Sequence, residues 1–427
     1  MVDSRNGILA LCCWGMICVA LSIAGFPLLI TGIEATLDAT DTDIGRASTA
    51  MFVGANVVAI FGTFAADHFS IKTLCCCGCT LLTGGFLLQS IAPTVWVLTM
   101  ATCIQGLGFG VIDLLMSPIV SATFPEKRTA ALAFLHAFFC IGGILNSLIV
   151  TSVMGFGVRW RTVSLLTCVL PVALGVAFAT QPLPKSLAEA DQSTTAESES
   201  LSDLVRQPDY LVCLLLIWQA GAAEIGSLTW IPAFAEQTLG MSHAGIVLFG
   251  FTITMGLGRY LGSKIAAHVS AYTLLQCGGA LAFALTFTAA VTSGTMSAVL
   301  LSWIGFGISI GWPTVLALSA DRHPGGGASM FALLVIAGNS GAVMPYVIAY
   351  VMDTTGSQRA GMAVAAVPGL LIVVAATVLR CLPVSEHAGR AVPPVTESGV
   401  TTTIGTESPR KSAEVVEELN LSDMMSH

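Results

Sequence analysis

The chain has 427 residues, 55% apolar and only 10% charged. Soluble domains carry about 25% charged residues, so this composition excludes an ordinary soluble enzyme. The net charge of −8 sits in two segments, 181–209 and 383–427, each carrying −4, and the rest is balanced at 12 basic and 12 acidic residues. No basic patch invites nucleic acid.

Twelve apolar runs approach the roughly 20 residues that cross a bilayer as a helix. In chain order they are 8–33, 45–66, 73–92, 95–121, 131–154 and 162–180, then 210–235, 243–268, 272–292, 296–320, 328–352 and 359–382. The first is too long for a signal-peptide core and has no small-x-small cleavage site, so it is read as a span. The predicted fold is all-α, with domains 1–180 and 210–382 as two six-helix bundles. A cytoplasmic linker, 181–209, and a cytoplasmic tail, 383–427, complete it. Both are rich in Ser, Thr, Glu and Pro and poor in large apolar residues, a composition that resists ordering.

Lys and Arg set the orientation. With the amino terminus inside, twelve basic residues fall on the inner side, and only Arg46, Arg159, Arg161 and Arg359 fall outside. Arg259 alone stays within the membrane. Both termini are expected in the cytoplasm, and the plasma membrane is the default location. Cys75, Cys76, Cys77 and Cys79 lack the distant paired partner of a metal finger. They read as small packing residues, with palmitoylation as the alternative.

A shift of 200 residues lays Gly62–Leu74 on Gly262–Leu274, with Gly, Ala, His, Ser, Thr and Leu identical at matching positions. Gly45 falls on Gly245, and Gly108-Phe-Gly110 matches Gly305-Phe-Gly307. Two six-span halves repeated in parallel are the pattern of a secondary transporter. The loop after span two reads Thr63-x-x-x-Asp67-His68-x-Ser70-x-Lys72 and resembles the G-x-x-x-D-R-x-G-R-R motif of the major facilitator superfamily. Asp67 and Lys72 are therefore candidate gate residues. Both glycines and the first arginine of the motif are lost, and Ala267 replaces the Asp in the second half. Asp113-x-x-x-Ser117-Pro118, Leu135-His136-Ala-Phe138 and Glu224…Trp230-Ile-Pro232 resemble the fucose-permease-like group of that superfamily. Ser117 stands where the group has Asn, and Pro27 stands nearest to an acid the group carries in span one. The resemblance implies alternating access, a sugar-like substrate and proton symport.

A charge at mid-membrane costs about 2.5–3.5 kcal/mol on insertion scales, so each one needs a reason. Asp113 and His136 lie about 17 Å above the turn near Pro125 on neighbouring helices, at 1.5 Å per residue. Arg259 reaches a similar depth from span eight. These three are the candidate proton-coupling layer, with a static salt bridge as the alternative. Glu224, near the middle of span seven, is a candidate acceptor for a hydroxylated solute, or else an ion-pair partner of Arg259. Asp113, Trp230, Gln219, Asn339 and Tyr346 complete the candidate substrate site, although helix packing or interfacial anchoring is the default for a Trp. Asn56, Gln105 and Asn146 read as interhelical hydrogen-bonding residues. Glu34, Asp38, Asp41 and Asp43 read as a solvated loop.

No Ser-His, paired-Asp or His-Glu-x-x-His constellation appears at membrane depth, so no enzyme and no cofactor are expected. The expected function is transport of a monosaccharide-like solute with a coupling proton, by a monomer in the bilayer. An exporter or organic-anion carrier using Arg259, and a non-transporting receptor or scaffold, remain the alternatives.

Overall fold

Twelve helices of the computed structural model are long and apolar enough to cross a membrane. It describes residues 4–181, 201–266 and 268–383. Spans one to six are Arg5–Leu37, Asp41–Gly62, Ile71–Ile91, Val95–Thr123, Phe134–Gly155 and Trp160–Thr180. Spans seven to twelve are Pro208–Gln237, Gly245–Ile265, Ala271–Val291, Gly294–Arg322, Ser329–Thr355 and Gln358–Cys381. Every described residue belongs to one unit, Met1–Ala388. The expected tail, apart from Pro383, and most of the expected linker lie outside the described residues, as does Ala267.

Local chemistry accounts for the breaks. Pro27 has no N–H to give, and span one tightens into a 3₁₀ turn at Phe26–Leu29 before resuming at Ile30. Span two starts on a capping box. Thr40 accepts from Asp43 N at 3.2 Å, and the Asp43 carboxylate accepts from Thr40 N at 3.3 Å.

The repeat read from sequence has physical causes. Ser70 caps span three and Ser270 caps span nine, accepting from Thr73 N and Thr273 N at 3.1 and 3.2 Å. A Cβ on Gly106 would collide with the Met51 carbonyl, and one on Gly305 with the Phe251 carbonyl. Gly108 meets Leu82 as Gly307 meets Ala282, so the structure sets Gly106 against Gly305 and Gly108 against Gly307, two residues away from the Gly108–Gly305 match expected from sequence. Arg161 donates to Ala92 O at the end of span three, and Arg359 to Ala290 O at the end of span nine, at 2.6 and 2.8 Å. The result is two pseudo-symmetric six-helix bundles, with large apolar side chains such as Ile91, Trp96, Leu166 and Val176 exposed on the outside. Only a lipid environment suits so broad an apolar surface.

Span one starts and span twelve ends on one face of the bundle, the terminal face; the opposite one is the far face. At the terminal face Arg5 pairs with Glu126 at 2.9 Å. Backbone hydrogen bonding, and then Arg5, hold the Glu126 carboxyl below the usual carboxylate range.

Candidate functional site

The two halves meet along spans two and eleven, one and seven, and five and eight. Close approach comes first: Gly45 packs on Ala349, Gly143 on Thr252, and Gly245 on Thr151. Hydrogen bonds then bridge the far face. Thr31 donates to Glu236 at 2.9 Å and Gln237 to Glu34 at 2.6 Å. Gln358 donates to Asp41 and Thr42 N to Asp353, both at 2.8 Å. Deeper, Thr49 donates to Ala342 O at 2.7 Å and Asn56 to Ser340 at 3.1 Å. Among the described residues, hydrogen bonds between the halves reach no nearer the terminal face than Asn56 and Cys140.

This corrects one sequence expectation. Glu34 and Asp41 are not members of a solvated loop, because each carboxylate accepts an amide from the other half. Their partners Gln237 and Gln358, and the other bridging carboxylates Glu236 and Asp353, were not singled out from sequence. Each lies at the end of an apolar run, where polar residues are unremarkable, and only cross-half pairing gives them a role. A cavity of about 150 Å³ lies at this seam, lined among others by Thr31, Thr151, Glu236 and His243.

At mid-depth the charges gather. Arg259 pairs with Glu224 at 3.5 Å, and their side chains are 30% and 13% exposed. The same guanidinium crosses between the halves and donates to the Cys140 thiol at 3.7 Å. One turn before Cys140 on span five, His136 Nε2 lies 3.3 Å from the Ser117 hydroxyl of span four. One turn before Ser117 stands Asp113, exposed and without an ion pair among the described residues. Asp113, His136 and Arg259 therefore occupy neighbouring turns, but the ion pair of Arg259 is with Glu224.

The remaining candidates divide. Trp230 is wholly buried and donates its indole N–H to Pro345 O at 3.0 Å. That is the packing arrangement, and it keeps Trp230 from touching a solute in this conformation. Gln219 is only 2% exposed. Asn339 and Tyr346 are half-buried, with Tyr346 stacked on Tyr350 at 6.5 Å. Lys72 is half-buried just inside the cap of span three, and the Asp67 side chain lies outside the described residues.

The family profile of the Major Facilitator Superfamily matches residues 12–345. The chain belongs to that superfamily. An uncharacterised MFS-type transporter of Yersinia pestis is 26% identical over 258 residues, 58% of this chain and 64% of that protein, so the chain spans less than two thirds of that relative. Two solved structures share the fold. A bacterial homologue of the human lysosomal transporter Spinster, inward-facing and unoccupied, superposes with a TM-score of 0.75 at 12% identity, covering 89% of this chain and 97% of that one. The Escherichia coli fucose:proton symporter does so with a TM-score of 0.62 at 16% identity, covering 88% and 99%.

Proposed function

We propose that this chain is a secondary transporter that carries a small hydroxyl-rich solute, a monosaccharide or a close relative, by alternating access with proton symport. The observation that carries this reading is the asymmetry of the seam. The halves are bridged at the far face, while Asp113 and His136 are exposed on the terminal side of those bridges. Lys and Arg favour a cytoplasmic terminal face, which makes the conformation inward-facing and both termini cytoplasmic, in the plasma membrane. The likeness to a fucose:proton symporter supports the solute class.

In this reading Asp113 takes the coupling proton, since a carboxyl exposed at membrane depth without a cation beside it is protonated and released at least cost. His136, hydrogen-bonded to Ser117, passes the proton toward the terminal face. Glu224 and Asn339 accept and donate to solute hydroxyls, with Gln219 and Tyr346 closing on them as the halves rock. Asp67 and Lys72 act at the terminal face as gate residues. An organic anion fits less well, because Glu224 already neutralises Arg259, the one guanidinium at this depth among the described residues.

The test is uptake of labelled monosaccharides by proteoliposomes, with and without an inward proton gradient. The gradient should stimulate wild type at least tenfold and leave Asp113→Asn unstimulated. Equal uptake by both proteins, gradient or not, would falsify coupling through Asp113, and no uptake of any sugar would sink the solute class.

A further inference from the structure

Away from the seam, inside the first half, four polar side chains are almost fully buried. Gln105 is 0% exposed, Gln89 and Ser164 are 1%, and Asn146 is 4%. Three of them form a directed chain. Ser164 donates to Trp160 O at 2.9 Å and accepts from Gln89 Nε2 at 2.9 Å, and Gln89 Oε1 accepts from Gln105 Nε2 at 2.5 Å. There the chain stops. Gln105 Oε1, an acceptor, and Asn146 Nδ2, a donor, are both buried with no protein partner.

The two amides line one void of about 10 Å³, bounded also by Gly25, Phe26 and Thr167. That is about the space of a single water, and a buried water makes about three hydrogen bonds to otherwise unpaired groups. The wall supplies them. Asn146 Nδ2 donates, Gln105 Oε1 accepts, and the Thr167 hydroxyl, whose own proton goes to Val163 O at 2.9 Å, is free to accept.

The fold itself does not require polarity here, as the second half demonstrates. The matched glycines and arginines align span three with nine, four with ten and six with twelve, which places Ala289, Ile304 and Met362 opposite Gln89, Gln105 and Ser164. Gly25 faces Asn146 as Gly226 faces Met344. All four counterparts are apolar and buried. Two halves with one backbone plan thus fill one slot in opposite ways, and a half-satisfied polar cluster is worse than an apolar one. The polar version therefore needs its missing link.

We propose that the void binds one ordered water that accepts from Asn146 Nδ2 and donates to Gln105 Oε1. The water completes a hydrogen-bonded chain from Asn146 through Gln105, Gln89 and Ser164 to Trp160 O. Spans five, four, three and six are thereby tied into one body, which turns as a unit whatever solute the chain carries.

The decisive measurement is a structure of the full chain in lipid nanodiscs at a resolution that shows ordered water. Density within about 2.7–3.2 Å of both Asn146 Nδ2 and Gln105 Oε1 is expected. A direct Asn146–Gln105 bond, or a void without density, overturns the proposal. Thermal unfolding of Asn146→Leu, Gln105→Leu and the double variant gives an independent reading. Each single change should lower the midpoint by several degrees, and the double change by clearly less than their sum, because both act on one bridge. Strict additivity would count against a shared water. If a variant fails to fold, the wild-type density still decides.

Discussion

Each half ties the start of its first span to the end of its fourth with an ion pair, and the two ties differ in charge order and in burial. In the first half Arg5 meets Glu126 at 2.9 Å, with side chains 48% and 50% exposed. In the second half Asp209 meets Arg322 at 3.2 Å, with side chains 5% and 4% exposed. The basic partner comes first in one and last in the other, so the repeat preserves the joint and not the residues. Burial then sets the consequences. Arg322 also donates to the Tyr272 hydroxyl and to the carbonyls of Leu379, Leu382 and Pro383, so it holds the exit of span twelve as well.

The largest effect is expected from breaking the buried tie. Arg322→Leu takes the guanidinium from a buried Asp209 carboxylate that His323 Nε2 also approaches at 3.5 Å, and leaves three carbonyls without their donor. Loss of one partner of a buried pair costs about 3–5 kcal/mol, read as a fall in the thermal midpoint in detergent. Arg322→Lys should recover only part of it, because an ammonium cannot reproduce the planar fork. A full recovery would mean that charge alone holds the corner.

Next comes the polar slot of the first half. Gln89→Leu removes the middle link and leaves Gln105 Nε2 without its acceptor and Ser164 without its donor. A buried group left unpaired costs about 1–3 kcal/mol. The matching change in the second half, Ala289→Leu, inserts methylenes between close-packed helices and acts by overpacking, at about 1–3 kcal/mol. Similar sizes with different causes separate under suppression. Shrinking a neighbour, as in Met362→Ala, should relieve Ala289→Leu and do nothing for its first-half counterpart. Relief in both halves would erase the contrast.

The repeated caps should behave alike. Ser70→Ala and Ser270→Ala each remove one hydroxyl acceptor at the start of a helix, worth about 1 kcal/mol. Unequal losses would mean that one cap has a second task at its gate loop.

What could be read beforehand follows the same division between local and cross-helix information. All twelve spans and the repeat were legible, because apolar run length and recurring residue identities are local patterns, while the Ser70 and Ser270 caps were not singled out. The pairing of Glu224 with Arg259 was legible as one of two alternatives, since each lone intramembrane charge demands an account. Gln105 and Asn146 were recognisable as polar residues within spans, but Gln89 and Ser164 were not singled out. Nothing in a single helix tells that four side chains on four spans converge. The far-face bridges were missed for the same reason: Glu34 and Gln237 are 203 positions apart, and only docking of the halves sets their register.

The smallest expected effect is the exposed tie, where the sign is the informative part. Glu126 has its carboxyl held below the usual carboxylate range by backbone hydrogen bonding and by Arg5. A depressed carboxyl stabilises the fold above its unfolded value, about 4.3 for Glu, and loses that contribution as pH falls through the folded value. Wild type should therefore shed a small increment of stability on acidification that Glu126→Gln lacks. High salt should shrink the difference at neutral pH, because an exposed pair is screened within about 10 Å at 0.1 M ionic strength. The buried Asp209–Arg322 tie should ignore the same salt. If salt moved both ties equally, burial would not be what separates the two corners, and the contrast between the halves would reduce to sequence alone.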